Sequence, residues 1–372
     1  MKQPKDKERA YYMETISVNK QNIVEKIKKF DGRILLGIDG YIDEVWQIIN
    51  FRSETNAAVP YTQMNQLAER IQQAGSGGLS IEIARKRRSF GGFTANTGNA
   101  VSMLGLNTVM LSLFGKDNID PVYKPLADRC RVISIGESAV TTIYEFDDGK
   151  IMMPYDEPII GLNWQWLVDA LGMEKLVSLL AESDIIAIGY WSSMPSFNDM
   201  VIQICGCLPS DKKTKRLFFD FADVSKRNGD SLKKTLILLK DANKKIPMTL
   251  SMNEHEAATV FALYNEPLSA KIKPLPQQIK NVRMNAGLDE IVIHTPYYAA
   301  ASSREEGEAF VSQLFCENPV RTTGAGDTFN GAYIAASAAG LNITERLCLA
   351  SETVSYFLRN GTAPALEQIS FN

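Results

Sequence analysis

Apolar runs too short to be helices recur along the chain, separated by stretches with helical spacing. Residues 33–38, 108–113, 184–189, 216–219, 247–252 and 290–294 read as buried strands. Between them, residues 96–104, 165–180, 196–205 and 231–240 place apolar side chains three and four apart, as a helix packed on one side does. A polar helical lead covers residues 18–29. Strands alternating with helices predict an α/β fold, a mostly parallel central sheet covered on both faces.

Two stretches break that rhythm. Residues 44–90 hold a helical pattern near 61–73, then Ala74-Gly-Ser-Gly-Gly78, then residues 79–85, which alternate like a strand with one wet face. Residues 140–153 carry Thr141-Thr-Ile-Tyr-Glu-Phe146, a turn at Asp147-Asp-Gly149 and then Lys150-Ile-Met-Met153, the pattern of a hairpin. These two pieces are expected to pair into a small sheet outside the main layer.

Composition narrows the class. Of 372 residues, 45% are hydrophobic, ample for a large core, and the net charge of −3 gives no general attraction to nucleic acid or to an anionic membrane. The basic run Arg85-Lys-Arg-Arg88 ends an alternating stretch and lacks interleaved aromatics, so it reads as a solvated strand. Five scattered cysteines suit reduced thiols, and two histidines exclude a His-rich metal centre. No apolar run approaches the roughly 20 residues that cross a bilayer, and the charged N-terminus has no apolar signal region. The expected location is the cytoplasm, with no nucleic-acid or membrane partner.

The chemistry concentrates near the C-terminus, in Arg321-Thr-Thr-Gly-Ala-Gly-Asp-Thr-Phe-Asn-Gly-Ala332. Gly324 and Gly326 can turn backbone amides inward together, and the helix-forming run that follows makes this a helix N-terminus, a ready anion site. Asp327 would repel a phosphate there unless its task is to take a proton from the group attacking phosphorus. An Asp capping a helix after a Gly-rich turn explains the same residues equally well.

Three weaker patterns precede it. Gly37-Ile-Asp-Gly-Tyr-Ile-Asp43 follows the first strand and puts carboxylates where α/β sheets bind ligands, though a solvated turn fits as well. Gly91-Gly92-Phe-Thr-Ala-Asn96 opens a helix; paired glycines admit a ligand to the backbone, and the Asn amide both donates and accepts. Asn253-Glu-His-Glu256 offers oxygen ligands suited to magnesium and its waters, and is equally a helix capping box. No Gly-Lys-Ser/Thr phosphate loop and no zinc-protease His pair occurs.

In this order the motifs resemble the ribokinase-like (PfkB) carbohydrate kinase family, over roughly residues 35–364. The resemblance implies a three-layer ribokinase-like sandwich in residues 33–372, after a helical lead in residues 1–32, with lid pieces near 44–90 and 137–156. It implies transfer of the γ-phosphoryl of magnesium-ATP to a sugar hydroxyl. Asp327 would be the base, and Gly324, Ala325 and Gly326 would form the anion hole. Asp43 or Asp39, with Gly91, Gly92 and Asn96, would hold the sugar. Asn253, Glu256, Asp223, Thr323 and Thr295 would lie at the nucleotide, with Glu256 and Asn253 reaching magnesium through water. It also suggests a homodimer through the lid. Two departures stand out: members usually carry Asp where this chain has Arg321, and the strand ending in His294-Thr295 resembles the ADP-dependent sugar kinases of the same superfamily. Nucleoside kinase and ADP-dependent sugar kinase remain as alternatives, and a non-catalytic sugar sensor as one of another class.

Overall fold

The computed structural model describes residues 18–209, 215–268, 274–313 and 315–370. From the N-terminus the chain enters a central sheet at β1 (Ile34–Ile38) and leaves it through β2 (Tyr41–Arg52), β3 (Ala58–Pro60) and β4 (Ile83–Gly91). It returns for β5 (Thr108–Ser112) and β6 (Arg131–Ser134), leaves again for the hairpin β7 (Ala139–Phe146) and β8 (Gly149–Tyr155), and then stays in the main layer. There β9 (Ile185–Ile188), β10 (Arg216–Asp220), β11 (Met248–Asn253) and β12 (Glu290–His294) are followed by β13 (Tyr298–Ser303) and β14 (Gly307–Ser312).

The central sheet runs β14-β13-β12-β11-β10-β9-β1-β5-β6, and only β13 and β14 are antiparallel to their neighbours. Every residue of β1, β5 and β9 is buried, which a parallel strand needs when both faces are covered. One face carries the helix Lys20–Lys29 together with α1 (Gly92–Met103), α3 (Ala325–Ala338) and α4 (Ile343–Asn360), whereas α2 (Glu254–Leu263) packs on the opposite face with Phe197–Cys207 and Gly229–Ala242. Strand β1 lies between β5 and β9, so successive strands step away from it in opposite directions. The crevice at such a reversal, outside the C-terminal strand ends, is where sheets of this kind bind ligands.

The remaining strands form a second sheet, β3-β2-β7-β8 with β4 paired to β2. The hairpin turns at residues 147–149 as its spacing predicts. Strand β4 carries the basic run outward: Lys86 and Arg87 pair with Glu145 at 2.9 and 2.8 Å, and Arg88 with Asp120 at 2.7 Å. Three expectations change. The pattern at 165–180 is two helices, because Gly172 takes φ 79° and breaks the run. The strand expected at 79–85 is displaced to Ile83–Gly91. The stretch after Asp39, read as a turn, enters the twelve-residue β2, whose pairing with β4 and β7 overrides its weak local signal.

Helices α1 and α3 cross closely where Gly331 meets α1: a Cβ there would stand 2.6 Å from both the Ala100 Cβ and the Thr97 carbonyl oxygen. Gly331→Ala is expected to destabilise the fold by about 1–3 kcal/mol through overpacking, read as a lower urea midpoint. An unchanged midpoint would show that the crossing tolerates a wider spacing.

Candidate active site

Helix α3 starts at Ala325, with Gly324 as its N-cap in the left-handed region at φ 86°. No side chain caps this end, and the Ala325 amide bonds back to the Thr322 carbonyl at 3.1 Å. The next first-turn amides, of Gly326 and Asp327, have no partner within the helix. Asp327 is the third helical residue, so the capping explanation of its presence fails. Its carboxylate instead accepts from Asn96 Nδ2 at 3.0 Å, which ties the N-terminal turn of α3 to α1.

Gly324, Gly326 and Asp327 line a cavity of about 340 Å³ together with Asp220, Asp223, Asn253, Glu256, His294 and Tyr190. Its acids crowd one another. Desolvation, then the Asp220 charge, holds the Asp327 carboxyl well above the usual carboxylate range, and Asp39 and Asp43 add to this against the Asn96 bond. Glu256 is pushed well up by the same two leading causes, and Asp220 is raised by desolvation. Asp220 is fixed by the Ala222 amide at 2.8 Å and by Asn330 Nδ2 at 2.7 Å, and Asn330 in turn accepts from Ser251 at 2.6 Å. Asn253 and Glu256 form the capping box in full: Asn253 accepts from the Glu256 amide at 3.0 Å, and Glu256 accepts from the Asn253 amide at 2.9 Å. That box uses only part of their hydrogen-bonding capacity and still leaves both on the cavity wall.

Next to it, the two carboxylates after β1 press against the glycine pair. Asp39 is fully buried; its Oδ1 accepts from the Thr94 amide at 3.0 Å and the Thr94 hydroxyl at 2.6 Å, while Oδ2 has no partner among the described residues. Burial pushes its pKa up to about 6. Gly92 sits at φ 81°, and a Cβ on it would collide with Asp39 Oδ2; one on Gly91 would stand 2.6 Å from Asp43 Oδ1. Both glycines are therefore required by the close approach of a carboxylate. Burial raises Asp43, and Arg321, Lys150 and Arg87 pull it down.

Not every expected residue joins this group. The Thr295 hydroxyl is consumed in the turn before β13, donating to the Tyr298 carbonyl and accepting from the Tyr297 and Tyr298 amides, and His294 lines the cavity in its place. Thr323 faces the other side of the loop, where Lys150 donates to its hydroxyl. Sequence reasoning took Asp223 rather than Asp220, although Asp220 ends an apolar strand as Asp39 follows one; it also missed Tyr190. His294 is held neutral, its pKa lowered by burial to about 4, with its ring 5.0 Å from that of Phe329 and its buried Nε2 unpartnered among the described residues.

A covered, mostly parallel sheet, a small second sheet beside it and a Gly-Ala-Gly-Asp turn opening a helix at the strand ends define a ribokinase-like carbohydrate kinase. The chain belongs to the prokaryotic ketohexokinase family, whose sequence model matches residues 12–371. It is 23% identical over 347 residues to a ketohexokinase of Haloferax volcanii, an alignment covering 91% of this chain and 90% of that one. Its fold is that of the Arabidopsis thaliana ribokinase solved with ribose and ATP, at a TM-score of 0.62 and 16% identity over 90% of this chain and 96% of that one. A carbohydrate kinase of Agrobacterium tumefaciens superposes at 0.61 and 18% identity, over 91% and 98% of the two chains. Among the described residues no helix is long and apolar enough to cross a membrane.

The raised Asp327 has a consequence for stability. Its folded pKa lies above the ordinary value near 3.8, so its contribution is full below that pH and is lost as pH rises through the folded value. As pH rises above the ordinary value, the unfolded chain ionises first and the buried carboxyl increasingly disfavours the folded state. Asp327→Asn is therefore expected to raise Tm, and to do so more at pH 8 than at pH 4.5. A loss of stability, or a gain independent of pH, would contradict the crowding described here.

Proposed function

We propose that this kinase transfers the γ-phosphoryl group of ATP to a hydroxyl of a ketohexose in the cytoplasm, with Asp327 as general base. The observation that carries the reading is the carboxyl of Asp327, set at a helix N-terminus that no side chain caps. There a base for the sugar hydroxyl and donors for the transferring group lie within one turn. A raised pKa makes the carboxylate a stronger proton acceptor, and Asn96 orients it. The amides of Gly324 and Gly326 stabilise charge on the phosphoryl group, the Ala325 amide being taken by the Thr322 carbonyl, while Asp43 and Asn96 hold the sugar, with Gly91 and Gly92 keeping the backbone out of its way.

Asp220, Asp223 and Glu256 give the nucleotide cavity acidic walls, and among the described residues none of the three has a Lys or Arg within ion-pair distance. Among the described residues no three His, Cys, Asp or Glu side chains stand close enough together to hold a metal ion by themselves. Such a set fits a magnesium ion carried by phosphates and water better than a cage made by protein alone. When bound, magnesium would neutralise charge on the nucleotide phosphates and on these carboxylates. Asn253 and Glu256 would then orient its water shell. The second sheet serves as a lid that keeps water from the reacting group. Its edge strand β8 exposes Met153 and Tyr155, which supports pairing of two copies through it.

A coupled assay over ketohexoses, aldohexoses, pentoses and nucleosides, each with magnesium-ATP and magnesium-ADP, tests this directly. The highest kcat/KM is expected for a ketohexose with ATP; preference for a nucleoside or for ADP would contradict it. In the same protein Asp43→Ala should weaken sugar binding by roughly 1.5–3 kcal/mol for lost charge-assisted bonds, with nucleotide affinity nearly unchanged. Undiminished sugar affinity in that variant would transfer the grip to Asp39.

A further inference from the structure

A second cavity, of about 600 Å³, lies across the loop that precedes α3, between the second sheet and residues 319–323. Its walls carry four cationic side chains: Lys86 and Arg87 from β4, Lys150 from β8, and Arg321. Two acids share the wall, Glu145 and the exposed Asp147. Glu145 is already committed to Lys86 at 2.9 Å and to Arg87 at 2.8 Å. Lys150 donates to the Thr323 hydroxyl, and Arg321 lies 5.5 Å above the Phe357 ring. Among the described residues neither has a carboxylate within ion-pair distance.

The charges are not balanced by what surrounds them. Asp43 and Glu145 favour the Lys150 ammonium, yet desolvation, Arg87 and Arg321 together push its pKa down. The Arg321 guanidinium is lowered by desolvation first and by Arg87, against Asp43 and Asp327, which favour its charge without forming an ion pair with it. A cation withdrawn from water without a partner is unfavourable, and an anion supplied from solution removes the deficit. Lys and Arg around threonine hydroxyls also match the geometry of a phosphate, whose oxygens accept several charge-assisted bonds at once.

We propose that this cavity binds the phosphate group of a small phosphorylated molecule, held by Arg87, Lys150 and Arg321 with the hydroxyls of Thr322 and Thr323. The cavity is large enough for a sugar phosphate and ends at the loop whose far side carries Asp327. The phosphate therefore has two sources: the distal end of an acceptor whose other end meets Asp327, or a separate phosphorylated molecule bound beside a neutral acceptor. Binding needs no turnover, so this inference stands or falls apart from the assignment of the reaction.

Titration calorimetry on the whole protein tests it, with a ketohexose 6-phosphate and inorganic phosphate as ligands and a neutral ketohexose as control. Lys150→Ala and Arg87→Ala change side chains on the second sheet, and their Tm values check that the fold is kept. Each substitution should weaken the phosphate-bearing ligands by about 10-fold or more, as loss of a charge-assisted bond does, while the neutral sugar changes less than about threefold by the same measure. Turnover of the ketohexose phosphate with ATP would identify the acceptor's own phosphate, and binding without turnover would identify a separate ligand; either supports the site. Absence of phosphate binding at millimolar concentration, equal affinity in both variants, or an equal loss for the neutral sugar would overturn it.

Discussion

The site is organised by a concentration of negative charge that the fold holds against its own preference. Asp327, Asp220 and Glu256 meet around one cavity, with Asp39 and Asp43 close enough to add to the strain on Asp327. Each comes from a different place in the fold: the first turn of α3, the end of β10, the first turn of α2, the loop after β1 and the start of β2. None could remain there unless the elements behind it were rigid. The close crossing of α1 and α3 at Gly331 and the bond from Asn96 to Asp327 supply that rigidity. The Ser251–Asn330–Asp220 chain supplies it from the sheet side. On the proposed function, cations or protons would enter such an acidic cavity together with the nucleotide.

The second sheet brings the opposite charge to the other side of the loop that precedes α3. Lys150 reaches from β8 to Thr323, and Tyr41 and Asp156 bond to each other at 2.8 Å where that sheet meets the core. Lys226 and Ser193 also bond to Asp156, at 3.1 and 3.0 Å, so the base of the hairpin is anchored to the main layer. The loop of residues 321–327 therefore runs between an acidic face and a basic one. Asp43 stands at the boundary, buried, with three cations near it.

Much of this was legible in the sequence where the signal was local. The buried parallel strands appear as apolar runs, and the hairpin declares itself through Asp147-Asp-Gly149. The Gly-Ala-Gly-Asp turn marked the helix that starts at Ala325. What stayed hidden depends on contacts between distant segments. Strand β2 begins with Tyr41 and Asp43, whose extended form is imposed by β4 and β7. Strand β13 reads Tyr-Ala-Ala-Ala-Ser-Ser, with too little bulk to announce a buried strand. Asn253 and Glu256 looked like either a cap or a ligand pair, and the structure shows why spacing could not decide: they complete the cap and still face the cavity. Asp220 was passed over for Asp223, three residues on, because only the tertiary fold shows which strand end meets Asn330.

Single-turnover phosphoryl transfer by Asp327→Asn, on the sugar that the wild-type enzyme prefers, tests the central claim most directly. General-base catalysis is worth typically about 10²–10⁴-fold, so the rate should fall by that factor while magnesium-ATP binding is kept or slightly tightened. The asparagine retains the shape and the Asn96 neighbourhood but removes a negative charge from beside the phosphates. A variant that binds both substrates and keeps most of the wild-type rate would remove Asp327 from the chemistry, and with it the account of why five carboxylates are gathered here.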